Sequence, residues 1–201
     1  MKLLRITAEG LPLFKEKLDL TFYAQQRISE EQKSILYPLF SNIYLNSATG
    51  FIGINASGKT SVLRVILLAL EIINNEPINH IETRDILGDA KEVKLNMYFF
   101  FEKTNEICRL ETIVTSQKSK SEGINYSIVS ESLWTKGVDE VITRKAMLDF
   151  ERREPIMIRS SQEDFLPDDV SIMIARNKKT KEHIRIVNLL KYTNENILPF
   201  S

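Results

Sequence analysis

Residues Gly53 to Thr60 read Gly-Ile-Asn-Ala-Ser-Gly-Lys-Thr, between a short apolar run, Phe51 to Ile54, and a strongly apolar segment from Ser61 to Ile73. A glycine, four residues, then glycine, lysine and threonine is the pattern of a phosphate-binding loop, and its setting predicts strand, loop and helix in that order. The spacing has a physical reason. Backbone N–H groups from Asn55 through Ala56, Ser57, Gly58 and Lys59 to Thr60, turned inward at a helix N-terminus, form a nest for an anion, and the positive end of the helix dipole reinforces it. Gly53 and Gly58 let the backbone turn sharply and approach phosphate with no Cβ in the way. The pattern predicts that Lys59, the catalytic candidate, bridges the β- and γ-phosphates, that the Thr60 hydroxyl ligates Mg²⁺, and that Ser61 closes the binding set. The expected ligands are therefore ATP and Mg²⁺. The plainer alternative is a glycine-containing turn before a core helix with an incidental Lys-Thr.

Composition narrows the class without adding to the site. A chain of 201 residues, 43% hydrophobic and 27% charged, has enough apolar content to bury a core. Lys plus Arg and Asp plus Glu are both 27, so the overall charge makes no case for nucleic acid or an anionic membrane and leaves only local patches to consider. Cys108 is the single cysteine and has no partner for a disulfide, which fits a reducing compartment and a packing role. The apolar stretch after the loop is broken by Arg64 and Glu71, and Met1 to Arg5 lacks a long apolar run, so a cytoplasmic protein without a membrane segment is expected.

Along the chain, Leu3 to Thr7 reads as a strand and Leu18, Leu20 and Phe22 as a second, with Gly10 and Pro12 marking a turn between them. Residues Ala24 to Ser41 read as a surface excursion. From Thr60 to Ile73 apolar side chains surround most of a helical wheel, which predicts a helix buried against a sheet and stopped at Asn74 to Pro77. Val93, Leu95, Met97, Phe99 and Phe101 alternate along one strand, Glu102 to Glu106 is a turn, and Ile107 to Thr115 returns as a hairpin partner. A loop over Ser116 to Gly123 and short strands over Ile124 to Val129 and Val138 to Thr143 extend this into an antiparallel meander. Phe165 to Ala175 and Glu182 to Tyr192 read as helices.

Leu3-Leu4-Arg5-Ile6, then Leu18 to Phe22, then Phe51 to Leu63 resemble the start of ABC-type ATPases of the SMC, RecF and OLD kind, closest to bacterial AAA-family ATPases of abortive infection and phage defence. The close match covers roughly residues 1 to 75. It implies an α/β fold, a P-loop NTPase with an ABC-ATPase-like N-terminal lobe and an antiparallel β-subdomain. In this reading residues 1–90 form the nucleotide-binding core, 91–145 the β-subdomain and 146–201 a mainly helical segment. The resemblance also implies partners: ATP, the remaining C-terminal half of the ATPase or a second copy in a dimer, and DNA or a nuclease effector. Ala56 departs from the family pattern, where many relatives have glycine, and an ordinary backbone conformation is expected there.

Two family elements do not show in the sequence: an apolar strand ending in Asp-Glu, and a Ser-Gly-Gly signature. Ala146 to Asp149 and Ser171 to Arg176 are the nearest approaches to the acidic strand. The chain thus reads as the N-terminal lobe of a longer ATPase, with hydrolysis needing elements from its second half. The alternatives are a regulatory ATP-binding module without turnover and a small P-loop kinase. By the same resemblance Gln162 is a candidate sensor of Mg²⁺ and γ-phosphate, against a solvent-facing glutamine. Arg176 to Lys181 is a candidate DNA-binding run, against a solvated turn. Trp134 reads as a packing residue, with base stacking as the alternative. His80 and His183 stand alone, without metal-ligand spacing.

Overall fold

The computed structural model describes residues 1–54, 58–119, 123–141, 143–159 and 166–176. Strand β1 (Lys2–Glu9) is pinned in register against β2 (Leu18–Thr21), with Ile6 opposite Leu20. The chain leaves β1 through Gly10, which holds φ +83, and a Cβ there would lie 2.4 Å from the Glu92 carbonyl oxygen. A left-handed L-residue costs roughly 1–2 kcal/mol. Gly10→Ala is therefore expected to lower stability by about that amount, read as a reduced denaturation midpoint with an unchanged slope.

The excursion after β2 holds a one-turn helix, α1 (Glu30–Lys33), and a small hairpin of β3 (Tyr37–Phe40) and β4 (Ile43–Leu45). Helix α2 (Lys59–Ile73) follows, and Asn75, with φ +70, turns the chain away from it. Two 3₁₀ turns, Ile78–His80 and Glu82–Leu87, lead into β5 (Val93–Phe101), β6 (Glu106–Ser119) and β7 (Gly123–Gly137). A short helix α3 (Arg144–Met147), strand β8 (Met157–Ile158) and helix α4 (Met173–Arg176) complete the described chain.

The main sheet has six strands in the order β2-β1-β5-β6-β7-β8, and every pairing is antiparallel. Strand alternation divides its side chains between two faces. One face, with Ile6, Leu95, Met97, Phe99 and Leu110, packs on Val65, Leu68, Ala69, Ile72 and Ile73 of α2. Each such aliphatic or aromatic side chain, once buried, contributes about 1.5–3 kcal/mol. The other face is covered over only part of its area: Leu4, Phe100 and Ile107 pack under Ile43, Leu45, Met147 and Phe150.

The expected α/β P-loop NTPase architecture is not what forms. Among the described residues no two strands are parallel, and α2 lies on an antiparallel sheet instead of crossing between parallel strands. The expected strand before the loop is also missing: Ile52 is 101% exposed and Ile54 84% exposed, and neither lies in a strand. Two isoleucines around a glycine are too short a run to hold a strand without a paired neighbour. Although the wheel of α2 is apolar nearly all round, its burial is one-sided, with Leu63 and Leu67 about half exposed.

The meander over β5, β6 and β7 is present, with differences in extent. Strand β6 continues through Ser116 to Ser119, where a loop was expected. Strand β7 runs unbroken to Gly137, and the strand expected from Val138 is a 3₁₀ turn, Val138–Glu140. The reason is a bulge: Ile113 pairs with Ser130 and Val114 with Ile128, so Val129 is an extra residue on β7. It shifts the inward series from Tyr126 and Ile128 to Glu131 and Leu133, and this interrupts the alternation in the sequence. Over the expected helix Phe165 to Ala175, only Met173 to Arg176 is helical among the described residues. The helix expected over Glu182 to Tyr192 lies outside the described residues.

Candidate functional site

Helix α2 begins in an unusual way for a helix held only by its own chemistry. Its cap is Gly58 at φ 85 and ψ 8, no side chain caps it, its first residue is Lys59, and no acid stands in its first turn. A cation beside the positive end of a helix dipole is unfavourable unless an anion joins them. Helix α1 in the same chain shows the ordinary solution: Ser29 and Gln32 form a capping box, and Glu30 and Glu31 occupy the first turn. Gly58 is required for its backbone angle alone, since a Cβ there would meet nothing within 4 Å.

The Lys59 ammonium donates to the carbonyl oxygens of Gly53 at 2.7 Å and Ile54 at 2.6 Å. The first glycine of the pattern and the lysine are thus brought together across the loop. Thr60 is exposed, Ser61 is partly buried, and the first intrahelical bond runs from Val62 N–H to the Gly58 carbonyl. A helix start offers its first amides no carbonyl of its own, so donors, ammonium and hydroxyl share one end of α2. One turn on, Arg64 pairs with Asp85 at 2.8 Å. Of the predicted binding set, Gly53, Gly58, Lys59, Thr60 and Ser61 are placed this way; Asn55, Ala56 and Ser57 lie outside the described residues. An exposed hydroxyl at a helix start is a hard oxygen that suits Mg²⁺, which takes few protein ligands and completes its shell with phosphate and water. Among the described residues no group of three His, Cys, Asp or Glu forms a metal cluster.

The remaining candidates resolve differently. Asp149 is exposed, and its carboxylate accepts from the Glu151 amide, on the sheet face opposite α2. The adjacent acids Asp139 and Glu140 sit in the 3₁₀ turn after β7, where Glu140 pairs with Arg153. Neither ends an apolar strand. Arg176 is bound inward, pairing with Glu106 and standing 4.5 Å over the Phe101 ring, so it does not extend a solvent-facing cationic run; 177–181 lie outside the described residues, as do Gln162 and His183. Trp134 donates to the Arg153 carbonyl at 3.1 Å. Cys108 is buried, and desolvation pushes its thiol up to about 11. No described helix is long and apolar enough to cross a membrane.

Sequence reasoning missed a buried polar cluster. Glu131 is 1% exposed and accepts from Thr112 Oγ1 at 2.9 Å, Ser171 Oγ at 2.8 Å and the Ile172 amide at 2.6 Å, with Arg159 Nε at 3.7 Å. Burial pushes the Glu131 carboxyl above the usual carboxylate range and pulls the Arg159 guanidinium down, while their mutual attraction opposes both shifts. Arg159 also donates to the carbonyls of Ile128, Pro167 and Val170. Together the pair fastens 166–172 to β7. A second lysine, Lys136, donates to the carbonyls of Ala146 and Asp149 under the Phe150 ring, and burial pulls its ammonium down to about 8. The odd acid and base in an otherwise alternating strand were the available signal.

No family model matches the chain, and comparison with curated proteins and with solved structures finds no match.

Proposed function

We propose that the loop from Gly53 to Thr60 binds the triphosphate of ATP with Mg²⁺, and that the chain is the nucleotide-binding part of an ATPase of the kind its first 75 residues resemble. The observation that carries this reading is the start of α2: a glycine cap in the left-handed region, a lysine at the first position and no acid in the first turn. Those features disfavour an isolated helix and suit one that meets an anion. Lys59 would follow the phosphates, Thr60 would hold the metal, and the amides would hold the β-phosphate. Mg²⁺, when bound, would neutralise charge on the phosphates.

Binding without turnover by this chain alone is the second reading. What favours it is that Asp149 stands on the sheet face away from α2, while Asp139 and Glu140 sit in the turn after β7, where Glu140 pairs with Arg153. Hydrolysis then depends on a water-orienting acid supplied by other residues of the ATPase or by a second copy, and coupling to DNA-directed or defence activity follows from the resemblance.

The test is calorimetric titration with Mg-ATP. Lys59→Ala is expected to weaken affinity at least tenfold, about 1.4 kcal/mol, with the thermal transition retained because α2 is held by apolar burial. A folded variant that binds Mg-ATP as tightly as the parent would remove the loop from consideration.

A further inference from the structure

The uncovered part of the second sheet face forms a groove of about 720 Å³. Its floor is built from outward-facing positions of neighbouring strands: Arg5 of β1, Asn96 and Tyr98 of β5, and Arg109 of β6. Planar groups are layered there. The Arg5 and Arg109 guanidinium carbons each lie 6.0 Å from the Tyr98 ring centre, and Arg109 stands 4.6 Å over Trp134, which packs against the apolar cluster and does not itself line the groove. Arg109 is held rigidly, donating to Asn96 Oδ1 at 2.9 Å and Glu111 Oε2 at 2.7 Å.

A second groove of about 740 Å³ continues from the first, sharing Arg5 and Tyr23. Cations stand along this joined path. Arg144 is fixed by donating to the carbonyls of Gln25 and Gln26. Arg27 and Lys145 are exposed, and neither forms an ion pair among the described residues. Arg5, Lys17, Lys94 and Arg109, by contrast, are tied to carboxylates. Among the described residues the cations of this path left without an ion pair are thus Arg27, Arg144 and Lys145; the exposed carboxylates of Asp149 and Glu151 stand on the same lining, and the floor offers flat faces.

The geometry points to a single-stranded nucleic acid as the occupant, with bases stacked on Tyr98 and the Arg109 guanidinium and phosphates at Arg27, Arg144 and Lys145. An open antiparallel sheet carrying aromatic and guanidinium planes is a recurrent platform for unpaired bases. Strands stand about 4.8 Å apart, so a floor crossing β1, β5 and β6 has room for two or three stacked bases. A duplex keeps its bases inside and could use only the rim. None of these residues belongs to the start of α2, the helix that packs on the other face.

The experiment measures anisotropy of fluorescein-labelled oligothymidylate and oligouridylate with the whole chain, alongside a duplex of equal length, and follows the emission of Trp134, the only tryptophan. Single strands are expected to bind in a salt-dependent way and to change Trp134 emission. Arg27→Glu with Lys145→Glu should weaken binding about tenfold or more, and Tyr98→Leu on the order of tenfold. Lys59→Ala should leave this affinity unchanged, so a failure here is separable from a failure at the loop. Absence of single-strand binding, equal affinity for the duplex, or a folded Tyr98→Leu variant with parental affinity would overturn the assignment. Should Tyr98→Leu not fold, unchanged Trp134 emission on binding to the parent would overturn it equally.

Discussion

Replacing Glu131 with alanine is expected to destabilise the protein by about 3–5 kcal/mol, the range for breaking a buried ion pair by removing one partner. The loss has several parts. The hydroxyls of Thr112 and Ser171 and the amide of Ile172 lose their acceptor, and Arg159 keeps its charge at a buried site. At this chain length the thermal midpoint should fall by on the order of 10 °C. Glu131→Gln should cost less, because it keeps one carbonyl acceptor and sheds the burial of a charge.

The pH dependence separates the two effects. The folded-state pKa of Glu131 is raised, so the folded state holds the proton over a range in which the unfolded chain has released it. Stability from this group is therefore complete below the ordinary carboxylate value and is lost as pH rises through the folded value. Compared with Glu131→Gln, the parent should gain stability as pH falls across that window, measured by urea denaturation. A difference independent of pH would show that the carboxyl is not buried as described.

Phe99→Ala carries the other large effect. The ring is fully buried between the sheet and α2 and meets Phe101 edge-on at 5.4 Å between centres. Removing it takes away its transfer free energy and leaves a space that the β5 backbone, bonded on both sides, cannot close. About 3–5 kcal/mol is expected, read as a lowered urea denaturation midpoint. A loss under 1 kcal/mol would mean that α2 can settle onto the sheet.

Much of the fold was legible where one residue type repeats at one period. Helix α2 announced itself by composition and by Asn74 to Pro77 after it, and β5 by its alternation from Val93 to Phe101. What misled was inference across elements. The loop pattern implied a parallel sheet, but pairing partners are not encoded by the motif, and Phe51 to Ile54 pair with none of the described strands. At the start of α2 the sequence pattern joined Gly53 to Lys59, and the Lys59 ammonium does meet the Gly53 carbonyl, because the two lie close in sequence. The Glu131 cluster and the groove were not legible, because Thr112, Glu131, Arg159 and Ser171 come from separate segments, as do Arg5, Tyr98, Arg109 and Lys145.

The extra residue at Val129 has a consequence for how this chain can be compared with others. In space the inside–outside rhythm of β7 is unbroken, whereas in the written sequence it slips by one position. An ungapped alignment to a strand of the same shape without the bulge would match Tyr126 and Ile128 correctly and then set Glu131 and Leu133 against solvent-facing residues. Half of the strand would score as unrelated, although every one of its side chains kept its place, and a single gap at Val129 would restore the correspondence.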